Sequence, residues 1–299
     1  MSVENDVQCG PPRPFLKWAG GKRWLGPIAP SLIPRDPGRY FEPFLGSGAV
    51  FFAVRPERST LSDTNQMLIE TFQQVRDDPE GVIAALTPMA FGKRSYTRIR
   101  KLIPELPSER AARMIYLNKC GWNGVYRVNK RGIYNVPFGP RKRPPKIFDD
   151  DGIRAASVAL RGAELSAIEF GTSIAEARVG DFVFADPPYT VVHGENGFVK
   201  YNERIFSWED QKKLRNALVA FHKRGGLFLM SNANHHSIRR LYSGFRKLPV
   251  ERISKLAADP TYRKPVSELL ITNYTFGDSD PVMNGNQPPS AVSGSISRM

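Results

Sequence analysis

Five short runs of this chain, too brief for helices and bounded by polar or turn-forming residues, read as buried strands. They are Tyr40-Phe41-Glu42, Ser59-Thr60-Leu61-Ser62, and residues 181–185, 226–231 and 269–274. Helical spacing lies between them, at 66–76 and 208–224. Strands that alternate with helices predict an α/β sheet with helices on both faces. Residues 78–150 break the rhythm. They are rich in Lys and Arg, with helical pieces followed by a hairpin-like stretch at 121–139 that carries Gly121, Gly124 and Gly132. This stretch reads as an inserted domain, leaving 13–77 and 151–276 for the core. The polar ends, 1–12 and 277–299, read as disordered.

The formal net charge of +14 favours a polyanionic partner, because each phosphate neutralised releases counterions. No window approaches 18 uninterrupted apolar residues, and the first residues lack the apolar stretch of a secretory signal. The expectation is a cytoplasmic, nucleoid-associated protein that does not engage a membrane. Two cysteines, Cys9 and Cys120, are too few for a disulfide framework, and Cys120 reads as packed. Four histidines show no ligand pattern, so no metal is expected.

The first strand runs into Phe41-Glu42-Pro43-Phe44-Leu45-Gly46-Ser47-Gly48 and then a helix. Gly46 and Gly48 allow a sharp turn and a close approach to a ligand. Glu42, at the strand end, fits a cationic sulfonium better than a pyrophosphate. Asp63 closes the second strand, where it can accept from ribose hydroxyls. A tight turn with a helix-capping acid would read the same way. Upstream, Lys17-Trp18-Ala19-Gly20-Gly21-Lys22 clusters two glycines with Trp and two lysines. Either Trp18 covers a planar ring and Lys22 pairs with a carboxylate, or the segment is a Gly-Gly turn with solvated lysines.

The strongest signal is Phe182-Val183-Phe184-Ala185-Asp186-Pro187-Pro188-Tyr189, a buried strand that ends in an acid, two prolines and an aromatic. An amine conjugated to a purine is a poor nucleophile. Accepting both of its hydrogens, at the Asp186 carboxylate and the Pro187 carbonyl, localises the nitrogen lone pair, while Tyr189 stacks on the base. The rest of the catalysis is alignment.

These motifs, in this order with an insertion before the last, resemble the Dam-like (D12 class, alpha group) adenine-N6 DNA methyltransferases over about residues 13–275. The resemblance implies a Rossmann-like S-adenosylmethionine-dependent methyltransferase sheet with an inserted helical and β-hairpin target-recognition domain. It implies methyl transfer from S-adenosylmethionine to N6 of a flipped adenine in double-stranded DNA, within GATC or a related short site, by a monomer or a dimer on DNA. The cofactor set it implies is Trp18, Ala19, Gly20, Lys22, Glu42, Pro43, Phe44, Gly46, Gly48, Asp63 and Asp186; the catalytic set is Asp186, Pro187, Pro188 and Tyr189. In the insertion, residues 118–127 and 134–139 resemble the family's recognition hairpin. Trp122 would wedge into the base stack, and Asn123 would contact the backbone or the orphaned base. Val125 would meet a thymine methyl, Arg127 would grip a guanine edge, and Pro137 would lie against the DNA. Lys17 resembles a contact to the first base, and Arg263 and Lys264 would reach phosphates. Trp122 and Val125 stand where close relatives carry Tyr and Leu, and Thr64-Asn65-Gln66-Met67 departs from the family's usual residues after Asp63. The competing expectations are an amino-methyltransferase for cytosine N4, RNA or a protein glutamine, and a DNA-binding protein without activity.

Overall fold

A computed structural model describes residues 12–35, 37–190, 206–253 and 265–276. Seven strands form one sheet: β1 (Tyr40–Glu42), β2 (Ser59–Ser62), β3 (Ala163–Ser166), β4 (Phe182–Ala185), β5 (Leu227–Ala233), β6 (Arg246–Ile253) and β7 (Pro265–Thr272). Their order is β3-β2-β1-β4-β5-β7-β6. The first five run parallel, with Tyr40 beside both Ser59 and Phe182, and Phe182 beside Leu227. β7 is antiparallel between β5 and β6. The strand order reverses between β1 and β4, and at such a reversal a crevice opens outside the carboxyl ends of the strands.

The inner strands are short and wholly buried, as parallel strands covered on both faces must be. Alternation along each strand divides the core. Tyr40, Phe182 and Phe184 face one apolar cluster, while Phe41, Val183 and Ala185 face the other. On the first face lie α1 (Ala29–Leu32), α2 (Ala49–Val54) and α3 (Gln66–Asp77); on the second lie α8 (Phe170–Glu176), α9 (Trp208–Lys223) and α10 (His236–Leu241). Local chemistry fixes the helix starts. The Asn65 side chain accepts from Leu68 N at α3, and Ser207 and Asp210 close a reciprocal capping box at α9.

The structure corrects the strand bounds. β4 begins at Phe182, β5 runs on to Ala233, and β7 starts at Pro265 and ends at Thr272. Two strands are additional. β3 is short and half-exposed at one edge, and β6, Arg-Lys-Leu-Pro-Val-Glu-Arg-Ile, forms the other. Edge strands tolerate charge and proline, so neither carries an apolar signature.

Residues 78–150 form α4 (Pro79–Leu86), α5 (Lys93–Lys101) and α6 (Pro107–Cys120), a 3-10 turn at Trp122–Gly124, and a loose hairpin. Its arms meet at Gly121 with Phe138 and at Val128 with Tyr134. The helical part shares its core with the sheet: Phe72 of α3, Ile83 of α4 and Ile115 of α6 belong to one cluster. α7 (Asp150–Leu160) then returns the chain to β3. No helix among the described residues is long and apolar enough to cross a membrane. The ends at 1–12 and 277–299, apart from Pro12, and the residues Arg263 and Lys264 lie outside the described residues.

Candidate active site and recognition hairpin

β4 delivers Asp186 to the crevice. Its Oδ1 accepts from Lys22 Nζ at 2.7 Å and from Ser231 Oγ, on β5, at 2.5 Å. Its Oδ2 and the Pro187 carbonyl accept no hydrogen bond among the described residues. Lys22, almost wholly buried, also donates to the Gly20 carbonyl at 2.8 Å, lies 3.8 Å from Glu268 Oε2 and sits 4.8 Å from the centre of the Tyr189 ring. The Tyr189 hydroxyl donates to Glu268 Oε2 at 2.9 Å. Lys22, Asp186, Tyr189 and Glu268 therefore form one interlocked group. Pro187 is buried and Pro188 half-buried.

Burial pushes the Asp186 carboxyl above its ordinary range, and the Lys22 ammonium opposes that shift. Glu42 lies beside it, buried at the end of β1. Its Oε2 accepts from Tyr40 hydroxyl at 2.7 Å and Phe51 N at 3.1 Å. Burial raises Glu42 to about 8 despite those hydrogen bonds, with the charge of Asp186 adding to the rise.

The loop after β1 makes the expected turn. Gly46 and Gly48 have φ of +49° and +64°, in the left-handed region that favours glycine. A Cβ on Gly46 would fall 2.8 Å from Trp18 Cδ1, so the indole lies directly on the turn. Asp63 ties that turn to β2: Oδ2 accepts from Gly46 N at 3.1 Å and Oδ1 from Asn65 N at 3.0 Å. Ala19 and Gly20 are exposed, and Pro43 is buried. Phe44 stacks on Phe170 at 5.4 Å. Trp18 and Lys22, four residues apart, thus link Gly46 to Asp186, and the two sequence motifs share one crevice.

The hairpin stands beside it. Trp122 is half exposed, and its backbone N donates to the Pro137 carbonyl at 3.0 Å. Asn123 takes a left-handed φ of +53° at the turn. Arg127 is exposed, with Nε held by Asn135 Oδ1 at 2.8 Å, which orients the guanidinium and leaves Nη1 unengaged among the described residues. Val125 is half-buried and Pro137 exposed. Lys17 meets the hairpin through Asn118. Lys17 N donates to Asn118 Oδ1, and Asn118 Nδ2 donates to the carbonyls of Lys17 and Gly124, all within 3.0 Å.

Three residues that the sequence reading gave no role are central here. Glu268 is an acid within an apolar strand, and that contrast was its signal. Ser231 closes the fourth run, and Asn118 opens the hairpin motif. A buried chain also runs from Asn232 to Gln211 to Thr190, at 3.1 and 3.2 Å, and pins the residue after Tyr189 to α9 and β5.

The Lys22 ammonium faces the carboxyl groups of Asp186 and Glu268, and Glu42 lies beside Asp186, a poor match for a phosphate and a good one for a cationic ligand beside a neutral amine. With the reversed parallel sheet, this places the chain among the α/β methyltransferases that act on amino groups. The family model for the D12 class N6 adenine-specific DNA methyltransferases matches residues 18–256, and the chain belongs to that family. It is 35% identical to the type II methyltransferase M1.LlaDCHI of Lactococcus lactis subsp. cremoris over 88% of this chain and 95% of the relative. It is 31% identical to the DNA adenine methylase of Haemophilus influenzae, over 86% of this chain and 92% of the relative, and 30% identical to that of Escherichia coli, over 86% and 94%. The chain is an adenine-specific DNA methyltransferase.

Proposed function

We propose that the methyl donor is S-adenosylmethionine, that the acceptor is an adenine rotated out of a DNA duplex, and that the site read is short and guanine-containing, GATC or a near relative. The observation that carries the reading is the division of labour on Asp186. Its Oδ1 is held by Lys22 and Ser231, and its Oδ2 accepts no hydrogen bond among the described residues.

The residues fit the cofactor. The left-handed glycine turn under Trp18 leaves no room for a side chain, and Asp63, held by the Gly46 and Asn65 amides, is the acid assigned to the ribose. Glu42 offers a carboxyl group to a cation. When bound, S-adenosylmethionine supplies an electrophilic methyl carbon on a cationic sulfur that leaves as a neutral thioether. Asp186 Oδ2 and the Pro187 carbonyl accept the two hydrogens of the adenine amine, which concentrates its lone pair along the line of attack. The Lys22 ammonium favours the ionised form of Asp186 against the burial that raises its pKa. Once the nitrogen carries the methyl group, one of its protons passes to the Asp186 carboxylate and on to water. Tyr189, fixed by Glu268, stacks on the base and excludes water from its face. An amine inside the helical stack is out of reach of this geometry, so the base must leave the stack.

The insertion, residues 78–150, holds the duplex in this reading. Trp122 fills the gap that the base leaves, Asn123 meets the strand beside it, and Val125 touches a thymine methyl. Arg127, already oriented by Asn135, takes a guanine edge; such a contact discriminates by about 1–3 kcal/mol. Lys17 stands next to the hairpin for the first base, and Arg263 and Lys264 are assigned to phosphates. Sequencing methylated adenines in DNA from an expressing host reads the site directly. Asp186→Ala is expected to abolish transfer of labelled methyl with an unchanged circular dichroism spectrum; wild-type transfer in that variant would overturn the assignment. Arg127→Ala is expected to relax preference at one guanine by about 10- to 100-fold while transfer continues.

A further inference from the structure

We propose that Tyr126, a residue of the hairpin, completes the cofactor site by holding Trp18 over the glycine turn. The inference rests on the reading that Trp18 bounds that site. The Tyr126 ring stacks on the Trp18 indole at 5.7 Å with 23° between planes. A Cβ on Gly46 would fall 2.8 Å from Trp18 Cδ1, so the indole is also packed closely on the glycine turn. The Asn65 side chain lies close enough to the Tyr126 hydroxyl to oppose the rise that burial imposes on its pKa. Asn65 in turn caps α3 and donates its backbone N to Asp63 Oδ1. Tyr126 therefore stands between two parts of the crevice: its ring is stacked on Trp18 at the glycine turn, and it lies near Asn65, next to the acid of β2.

Tyr126 is itself braced. Tyr134 meets it edge-on at 5.8 Å, and the Tyr134 hydroxyl donates to the Val125 carbonyl at 3.1 Å. The preceding residue of the Trp18 segment, Lys17, is clamped by Asn118. An indole packed against both an aromatic ring and a backbone turn loses little further freedom when a ligand arrives, and such preorganisation shows up as affinity. Tyr126 lies between Val125 and Arg127, so the backbone that presents the two reading side chains also supports the cofactor wall. Tyr126 is a positioning residue that acts through Trp18.

The test titrates full-length protein with S-adenosylhomocysteine in the absence of DNA, by calorimetry, with melting temperature as the check on folding. Tyr126→Ala and Tyr126→Leu are expected to bind roughly 3- to 10-fold more weakly, the size of one aromatic pair. Tyr126→Phe keeps the ring and should stay within about twofold of wild type. Trp18→Ala is expected to be at least as impaired as Tyr126→Ala, and the double variant no worse than Trp18→Ala, because one interaction is being removed twice. In turnover, KM for the methyl donor should rise in Tyr126→Ala while kcat at saturation holds. Wild-type affinity in both the Ala and Leu variants, with Trp18→Ala impaired, refutes the role of Tyr126. Additive losses in the double variant refute action through Trp18. Wild-type affinity in Trp18→Ala removes the cofactor reading of Trp18 and this inference with it.

Discussion

Burial acts on Glu42 and Asp186 in the same direction, and their neighbours separate them. Glu42 sits near 8 because desolvation outweighs two accepted hydrogen bonds. The folded protein therefore keeps a proton that the unfolded chain releases at its ordinary 4.5. Between 4.5 and about 8 the folded state binds more protons than the unfolded one, so this group's contribution to stability falls as pH rises through that window. Glu42→Gln cannot ionise, and urea midpoints measured across the window should lose that slope; an identical slope in the variant would falsify the assignment. A cation arriving beside Glu42 ionises it. Binding of S-adenosylmethionine near neutral pH is thus expected to release protons, seen as a dependence of calorimetric enthalpy on the buffer's ionisation enthalpy, and Glu42→Gln should abolish the release. Asp186 has what Glu42 lacks, an ammonium at 2.7 Å. Lys22→Met removes that opposing charge, so the Asp186 pKa climbs further and the carboxyl stays protonated to higher pH. A protonated Asp186 accepts poorly from the amine. The acid limb of kcat should move upward, with activity lost more severely at about pH 6 than at about pH 8.5. A limb that stays in place would separate Lys22 from the ionisation of Asp186.

The antiparallel strand β7 contributes to the site at the level of the element. Its insertion between β5 and β6 carries Glu268, paired in register with Ala233 and Val250, to the lip where Tyr189 and Lys22 wait. Glu268→Leu should leave Tyr189 without its acceptor and lower kcat by about 10-fold or more, as expected when a buried hydrogen bond to a charged group is lost. Glu268→Gln keeps an acceptor and should recover part of that loss. With Tyr189→Phe already present, Glu268→Leu should add little; independent, additive losses would show that the strand does not act through Tyr189. The same element shows where sequence reading reaches its limit. The inner strands β4 and β5 were legible because burial on both faces demands continuous apolar runs, and the Asp-Pro-Pro-Tyr sequence marked where β4 ends. β3 and β6 were not, since an edge strand has no such demand to meet. The pairing of Tyr189 with Glu268 spans 79 residues, and the Asn118 clamp on Lys17 spans 101. Periodicity assigns a side chain to a face but does not name what it meets across the fold.

At the scale of the whole molecule, the excess of positive charge is unevenly neutralised. Arg76, Arg110 and Arg154 are paired with Asp77, Glu70 and Glu80 around α3, α4 and α7. Lys93, Arg94, Arg98 and Lys101 of α5 form no ion pair among the described residues, and they share the helix face turned away from the buried Tyr96 and Ile99. α5 is fastened to the hairpin arm: Tyr96 hydroxyl and Arg100 Nη1 both donate to the Val136 carbonyl, at 2.9 and 3.1 Å. Val136 precedes Pro137, so α5 is anchored to the hairpin arm, and its exposed basic face is expected to meet phosphates outside the recognition site. Each phosphate contact contributes about 0.9 to the slope of log affinity against log salt. Replacing the four cations with Gln should therefore make the slope shallower by about 2–4 on a duplex of about 30 base pairs. On a duplex of about 12 base pairs, which covers the site and little more, the slope should hardly change. The preferred sequence should be the same on both, because phosphate contacts carry no base information. Equal slopes for wild type and variant on the long duplex would mean that α5 never reaches the DNA, and that the charge on it is simply solvated.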